Sequence, residues 1–514
     1  MLKILGNPKA FLILFMVGIA GVLGWAVLYA LFFRDTSEQA RFRVSPETTY
    51  YVSPIREDGS VDFAAAINDE LGNGIAPDDN AYALLLQAIG PLDSSSPELY
   101  QLLGTAPSDE TSVRFHEMKA VFTKVAASNE RVEALLEIES ELRSRPWRRE
   151  DYPEIVQWLE RNRDPLEKVH HAVACDRYFR PLVTHDENGN PILIMEDSLA
   201  GIEQLRGLAR LLTMHAMLSL QEGETQTAWE DLIACRRLGR LAAQGPSLID
   251  VLVGYSIEGT AEVGIAALLS HSSPDAETIT RYQADLAALP PIMEMKTVID
   301  RTERCNYLEV IQAIAKGRAE AAESLDTWDA ETLAKLSGPG FYWNDSLIEA
   351  NARYDALVQG MELPTYSVRT QTLEKFEEDL MADTKPGPVQ ALYRGQAAMI
   401  SQTFLMIMLP ATSTARMAED RVRQRAANLD TALALAKFRD THGHYPDSLT
   451  ELVPDFLDEP PQDLFNASEL AYRPSEDGYT LYSVGADLVD QGGSDKDGAD
   501  DLSFVMNGQE TAPQ

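Results

Sequence analysis

Residues Ala10 to Phe33 form one unbroken apolar run, AFLILFMVGIAGVLGWAVLYALFF, without a single charge. As a helix its 24 residues reach roughly 36 Å at about 1.5 Å each, enough to cross a bilayer core with some tilt. A cleaved signal peptide has a shorter apolar stretch and an A-x-A-like site after it, and this run has neither. The run therefore predicts a membrane-spanning anchor, with Trp25 and Tyr29 suited to an interface. Lys3 and Lys9 on one side nearly balance Arg34, Arg41 and Arg43 on the other, so flanking charge does not orient it.

The 514 residues exceed one ordinary domain. Around the anchor the chain divides into a short tail at 1–9, a polar linker at 34–59, an α-helical domain at 60–402, an α+β domain at 403–505 and a tail at 506–514. With 80 acidic and 44 basic residues the net charge is −36, a surface that repels nucleic-acid phosphates and anionic headgroups. No nucleic-acid partner is expected. Cys175, Cys235 and Cys305 are too few and too scattered for a disulfide framework or a zinc site, and read as small buried side chains.

From 60 to 402 the apolar residues recur at helical spacing with almost no alternation. Asp151 with Glu154, and Asp164-Pro165 with Glu167, read as helix starts, while Gly90-Pro91, Gly245-Pro246 and Gly338-Pro339 read as stops. The clearest hairpin runs from about Leu199 to Ala243, with Leu205, Leu208, Leu211, His215 and Leu218 facing Ala228, Leu232, Cys235 and Leu238 across a turn at Glu222-Gly223. It looks like a single tetratricopeptide-type unit. No regular 34-residue period accompanies it, so an irregular stack of helical hairpins is expected.

Chemistry is sparse in this region. Glu167 and His170 make one ExxH pair where a di-iron bundle needs two, and His116-Glu117 does not continue to HExxH. Gly254 to Gly259 misses the GxSxG elbow by one residue. His170 and His171 read as a helix-surface pair. Trp147, Trp158, Tyr178 and Phe179 sit in an arginine-rich stretch, which core packing with snorkelling arginines explains better than a partner surface. Neither an enzyme nor a small-molecule substrate is expected.

The C-terminal region is richer. The segment MISQTFLMIMLPATSTARMAEDRVRQRAANLDTALALAKFRDTHGHYP reads as a short apolar run, a proline, then a long amphipathic helix burying Val422, Ala426, Leu429, Leu433 and Phe438. A Tyr445-Pro446 loop, a short helix at SLTELVPDFL and a hairpin of LAYRP and YTLYSV around Glu476-Asp477-Gly478 follow. Six aspartates then crowd the end, Asp487, Asp490, Asp495, Asp497, Asp500 and Asp501, with Gly492, Gly493 and Gly498 among them. Crowded carboxylates repel one another, and Ca²⁺, which takes 6–8 oxygen ligands, would neutralise them.

Pro410, HGHYPDSLTELVP, the hairpin and YSVGADLVDQGGSDKDGADDL together resemble the major pseudopilin of type II secretion, over about residues 400–505. The layout of helical middle and pseudopilin-like ending is also similar to membrane proteins of planctomycete-type bacteria. The resemblance implies a long helix on a small antiparallel sheet and one calcium ion in the final loop. By motif position Asp487 and Asp501 are its first ligands, then Asp500, with Asp490, Asp495 and Asp497 as alternates. Asp463-Leu464-Phe465 replaces the family's Asp-Pro-aromatic, and neither the start at Gly6 nor the stretch around Gly395 supplies the family's leader pattern, so assembly into a fibre is not expected. Extracellular calcium modules bind at about 10⁻⁴–10⁻³ M, which favours an inner-membrane protein with its large domain on the periplasmic side.

The expected fold is thus mostly α: a transmembrane helix, a tetratricopeptide-like middle and a pseudopilin-like α+β end. Two functions follow. One is a membrane-anchored envelope protein with a structural or assembly role related to type II secretion. The other is a tethered helical scaffold that binds a protein, its C-terminal domain serving as a cap.

Overall fold

The structure, a computed structural model, describes residues 42–90, 96–106, 114–196, 201–318, 320, 336–337, 343–382, 401–402, 404–406, 409, 412–475, 478–494 and 499–506. The expected anchor, Gly338-Pro339 and Pro410 lie outside them. Among the described residues the chain is mostly helical, with one three-stranded antiparallel sheet towards its C-terminal end. It divides into two compact units. The smaller comprises Met1–Phe63, Cys305–Arg353 and Met381–Met408; the larger comprises Ala64–Arg304, Tyr354–Leu380 and Leu409–Gln514.

The elements that frame the larger unit are α1 (Ala81–Ile89), α2 (Arg163–Val173), α3 (Ile202–Gln221), α4 (Thr225–Ala242), α5 (Leu248–Ser272), α6 (Tyr366–Ala382), α7 (Thr412–His442), β1 (Ala471–Pro474), β2 (Tyr479–Ser483) and β3 (Leu502–Met506). The hairpin expected between Leu199 and Ala243 is α3 and α4, turning at Gly223 with φ +84°. Leu205, Leu208, Leu211 and Leu218 on one helix, and Ala228, Leu232, Cys235 and Leu238 on the other, are all buried. Trp147, Trp158 and Tyr178 are core residues too. Gly90 ends α1 as its spacing suggests.

Two helix starts differ from expectation. Proline opens the helix Pro153–Arg161, but no Asp151–Glu154 capping box forms, because Glu154 pairs with Arg131 at 2.9 Å. α2 begins at Arg163, ahead of Asp164. Its preceding residue, Asn162, uses its amide to bind the carbonyls of His116 and Trp158 at 3.1 and 3.0 Å. In both places a tertiary partner outcompetes the local cap.

α5 is long and apolar enough to cross a membrane by length and composition, yet 56% of its most apolar window is buried inside the fold. Two of its acids have partners on neighbouring segments: Asp250 pairs with Arg180 at 2.9 Å, and Glu258 lies 2.6 Å from Arg240. Those pairs and its packing against α3, α4 and α7 make it a core helix. It meets α4 unusually closely. A Cβ on Gly254 would fall 2.4 Å from the Gly239 carbonyl oxygen and 2.8 Å from the Ala243 amide nitrogen. Gly254, which opens the near-miss of a nucleophile elbow, is therefore a packing residue.

α7 is buried on every side from Thr431 to Leu435. The helices α5 and Ala276–Ala287 contact it, and so do β2 and β3. The three strands run in the order β1-β2-β3, with Tyr472 opposite Leu481 and Leu481 opposite Phe504. One apolar core runs from Ala81 through α3, α4 and α5 to Leu433, Leu481 and Met506. The boundary expected at 402/403 is consequently no break in the packing: the α+β region covers helices of the same core.

In the smaller unit the polar stretch expected as a linker is tied down from Phe42 onward. Arg43 donates its amide to Asn344 at 2.7 Å, Val61 to Gln312 at 2.8 Å, and Arg56 pairs with Glu309 at 2.9 Å. Asn351 holds the carbonyls of Glu47 and Thr48 at 3.0 and 3.2 Å. A polar segment can order itself this way because its backbone groups gain partners in place of water.

Gly254→Ala forces two helix backbones apart. It should lower stability by about 2–3 kcal/mol, read as a fall in the urea midpoint of the full chain.

Candidate functional site

The chain leaves β2 at Ser483 and re-enters β3 at Leu502, and these two residues are register partners. The aspartate-rich segment 484–501 is therefore a closed loop hung between paired strands. Gly485 makes its first bend with φ +69°, and a Cβ there would fall 2.1 Å from the Asp500 carbonyl oxygen. From α6, the Tyr366 hydroxyl donates to the Ala486 carbonyl at 3.0 Å, and from α7 Arg421 pairs with Asp500. Asp463, 2% exposed, fastens the preceding turn to the strand end by accepting from Ser483 Oγ and the Val484 amide, both at 2.9 Å.

Most carboxylates in the loop accept from its own backbone. Asp487 Oδ1 takes the Val489 amide at 2.9 Å, and Oδ2 takes the Gln491 side chain at 2.6 Å. Asp490 Oδ1 takes the Gly492 amide at 2.8 Å and the Tyr482 hydroxyl at 2.9 Å. The Gly492 amide, first among causes, holds the exposed Asp490 carboxyl below its usual range, with the Tyr482 hydroxyl next. Asp500 Oδ2 takes the amides of Ala486 and Asp487 at 2.5 and 3.1 Å. Asp501 Oδ2 takes those of Gln491 and Gly493 at 3.1 and 2.7 Å. One oxygen stands apart: Asp501 Oδ1 is buried and, among the described residues, has no hydrogen-bond partner.

Asp487, Asp490, Asp500 and Asp501 are thus brought into one loop, while Asp495 and Asp497 lie outside the described residues. Among the described residues no group of three or more His, Cys, Asp or Glu side chains is arranged to hold a metal ion. The donor set suits a hard cation in being all oxygen, and Asp501 Oδ1 is a buried acceptor that lacks a donor. The remaining described carboxylates converge on amide hydrogens, which are competitors for the same lone pairs.

A second constellation lies in the helices. Asp231 of α4, 1% exposed, receives His170 of α2 at 2.8 Å on Oδ1 and His215 of α3 at 2.6 Å on Oδ2. His170 is therefore a half-buried partner rather than a member of a surface pair, and Glu167 does not share its site. The helical stripe hinted at His215 alone; nothing local links it to Asp231 and His170. Burial pulls the His215 imidazole down, but its hydrogen bond to Asp231 and the charges of Asp231, Glu222 and Glu224 outweigh that and raise it.

The chain matches no protein-family model, no curated protein and no solved structure.

A raised histidine stabilises the fold fully below its unfolded value of about 6.5, and that contribution fades as pH climbs through the folded value. Asp231→Asn should therefore lower stability by about 1–3 kcal/mol at pH 6, with a smaller deficit at pH 8.5, in paired denaturant titrations. Gly485→Ala meets both left-handed strain and the Asp500 carbonyl. Destabilisation of about 1–3 kcal/mol is expected in the same measurement.

Proposed function

We propose that this chain is a single-pass, membrane-anchored envelope protein. Its irregular, tetratricopeptide-like helical stack carries a pseudopilin-like end that responds to calcium. Its role is structural or assembly-related, in a process akin to type II secretion, and the large domain faces away from the cytoplasm. The observation that carries the reading is the buried, partnerless Asp501 Oδ1 in a loop closed by paired strands. The order of long helix, short helical turn, hairpin, acidic loop and final strand supports it. Asp501 and Asp487 are the first candidate ligands, Asp500 and Asp490 the next, with Asp495 and Asp497 completing the acidic set. A bound calcium ion would supply the charge that repelling carboxylates lack.

A helical scaffold that recruits a protein is the second reading. The core shared between the sheet and the helices favours it, because it gives the C-terminal region a covering role without any ion.

Full-length protein in detergent separates the two. With calcium at about 5 mM, and a site in the extracellular affinity range, stability should rise by about 1–2 kcal/mol over chelator, and magnesium should do less. Asp501→Ala should abolish the gain. A midpoint indifferent to calcium, or a gain that survives Asp501→Ala, removes the calcium site and leaves the scaffold.

A further inference from the structure

In a chain with 80 acids and 44 bases, four arginines line one cleft of about 700 Å³ in the larger unit. They are Arg177, Arg240, Arg301 and Arg423, and Glu294 is the one carboxylate among the lining residues. Leu71, Ile292 and Met293 give the wall an apolar part. The volume falls within the range of small-molecule sites.

The rim is held in place. Arg240 donates to the Pro290 carbonyl at 2.7 Å, the Tyr255 hydroxyl donates to the Met293 carbonyl, and the Met295 amide donates to Glu419 at 2.8 Å. Three of the arginines lean on acids: Arg240 on Glu258 at 2.6 Å, Arg301 on Glu70 at 3.2 Å and Arg423 on Glu419 at 2.8 Å. Arg177 does not. Its Nη2 donates to the Leu71 carbonyl at 3.2 Å, and among the described residues no carboxylate pairs with it.

Among the described residues, buried donors are left over beside this cleft, Arg240 Nε among them. Tyr178 lines it, is 4% exposed, and has a hydroxyl without a hydrogen-bond partner. Arg301 Nε is buried and likewise unsatisfied. Burial, together with Arg236 and Arg423, holds the Arg240 guanidinium below its usual range despite Glu258. Buried donors and the acid-free Arg177 are both met by an oxyanion, and guanidinium forks match phosphate and carboxylate geometry.

We propose that this cleft binds a small organic anion, its phosphate or carboxylate gripped by the guanidiniums with Arg177 foremost, and its apolar body against Leu71, Ile292 and Met293. The inference is independent of the calcium loop, since the two share no residue.

Isothermal titration of the full chain in detergent, at ionic strength matched with chloride, tests it with phenyl phosphate, phenylacetate and inorganic phosphate as probes. Saturable binding of phenyl phosphate or phenylacetate is expected, tighter than that of inorganic phosphate. The better of the two identifies the headgroup. Arg177→Gln should weaken it at least tenfold and Arg177→Lys by less, while Arg145→Gln on a distant exposed pair should leave it unchanged. Arg177 is exposed and unpaired with any acid, so both variants should melt as the unsubstituted protein does. Absence of saturable binding by either aryl probe, equal binding of inorganic phosphate, or full affinity in Arg177→Gln would each overturn the proposal.

Discussion

Between α4 and α5 there is no room for a side chain: the carbonyl oxygen of Gly239 occupies the space where a Gly254 Cβ would sit, at 2.4 Å. Two backbones in contact fix the distance between these helices, and the rest of the larger unit is built on that spacing. It places Glu258 beside both Arg236 and Arg240, at 3.7 and 2.6 Å, so that charges deep in the fold find partners. It lets α3 pack against both helices and α7 lie against α5. The sheet then covers the remaining face of α7. A buried acid without a guanidinium would be expensive, and Glu258 has two beside it.

What the amino-acid order reveals follows from how local each signal is. Gly223 between two apolar stripes announces the hairpin of α3 and α4, and the Tyr479–Ser483 alternation announces a strand, because each pattern is complete within a short window. Residues Thr431 to Leu435 are different. A helix covered on all sides carries no polar face to betray its surroundings, and Thr431, Ala432 and Ala434 look neutral until sheet and helices are both in place. The segment from Phe42 to Val61 reads as loose because its partners, Glu309, Gln312, Asn344 and Asn351, come from far along the chain. Asp231 likewise looks like an ordinary helix-surface acid, and only tertiary packing brings His170 and His215 to it.

The candidate loop was legible in composition but not in its hydrogen bonding. Six aspartates and interspersed glycines mark a place where oxygens gather. They do not reveal that Asp500 and Asp501 would each accept two amides, or that Gln491 Oε1 would take the amides of both in return, at 2.9 and 3.2 Å. The arginine cleft is the converse case. Its members are dispersed from Arg177 to Arg423, and in a strongly acidic chain the average hides a local reversal of sign. Arg177 itself sits in the stretch whose arginines read as snorkelling, a description that accounts for their stems and leaves their heads unassigned.

The shared core has a temporal meaning as well. Ala81 and Phe504 belong to one apolar cluster although roughly four hundred residues separate them, so the earliest helices emerge from the ribosome long before the strand that seals them. Until β3 arrives, the β2 edge and the flank of α7 are open to water and to any extended peptide nearby. The nascent protein therefore passes through a lengthy stage in which that flank is unsealed. Its vulnerability during synthesis is set by the position of its last strand, not by the stability of the finished fold.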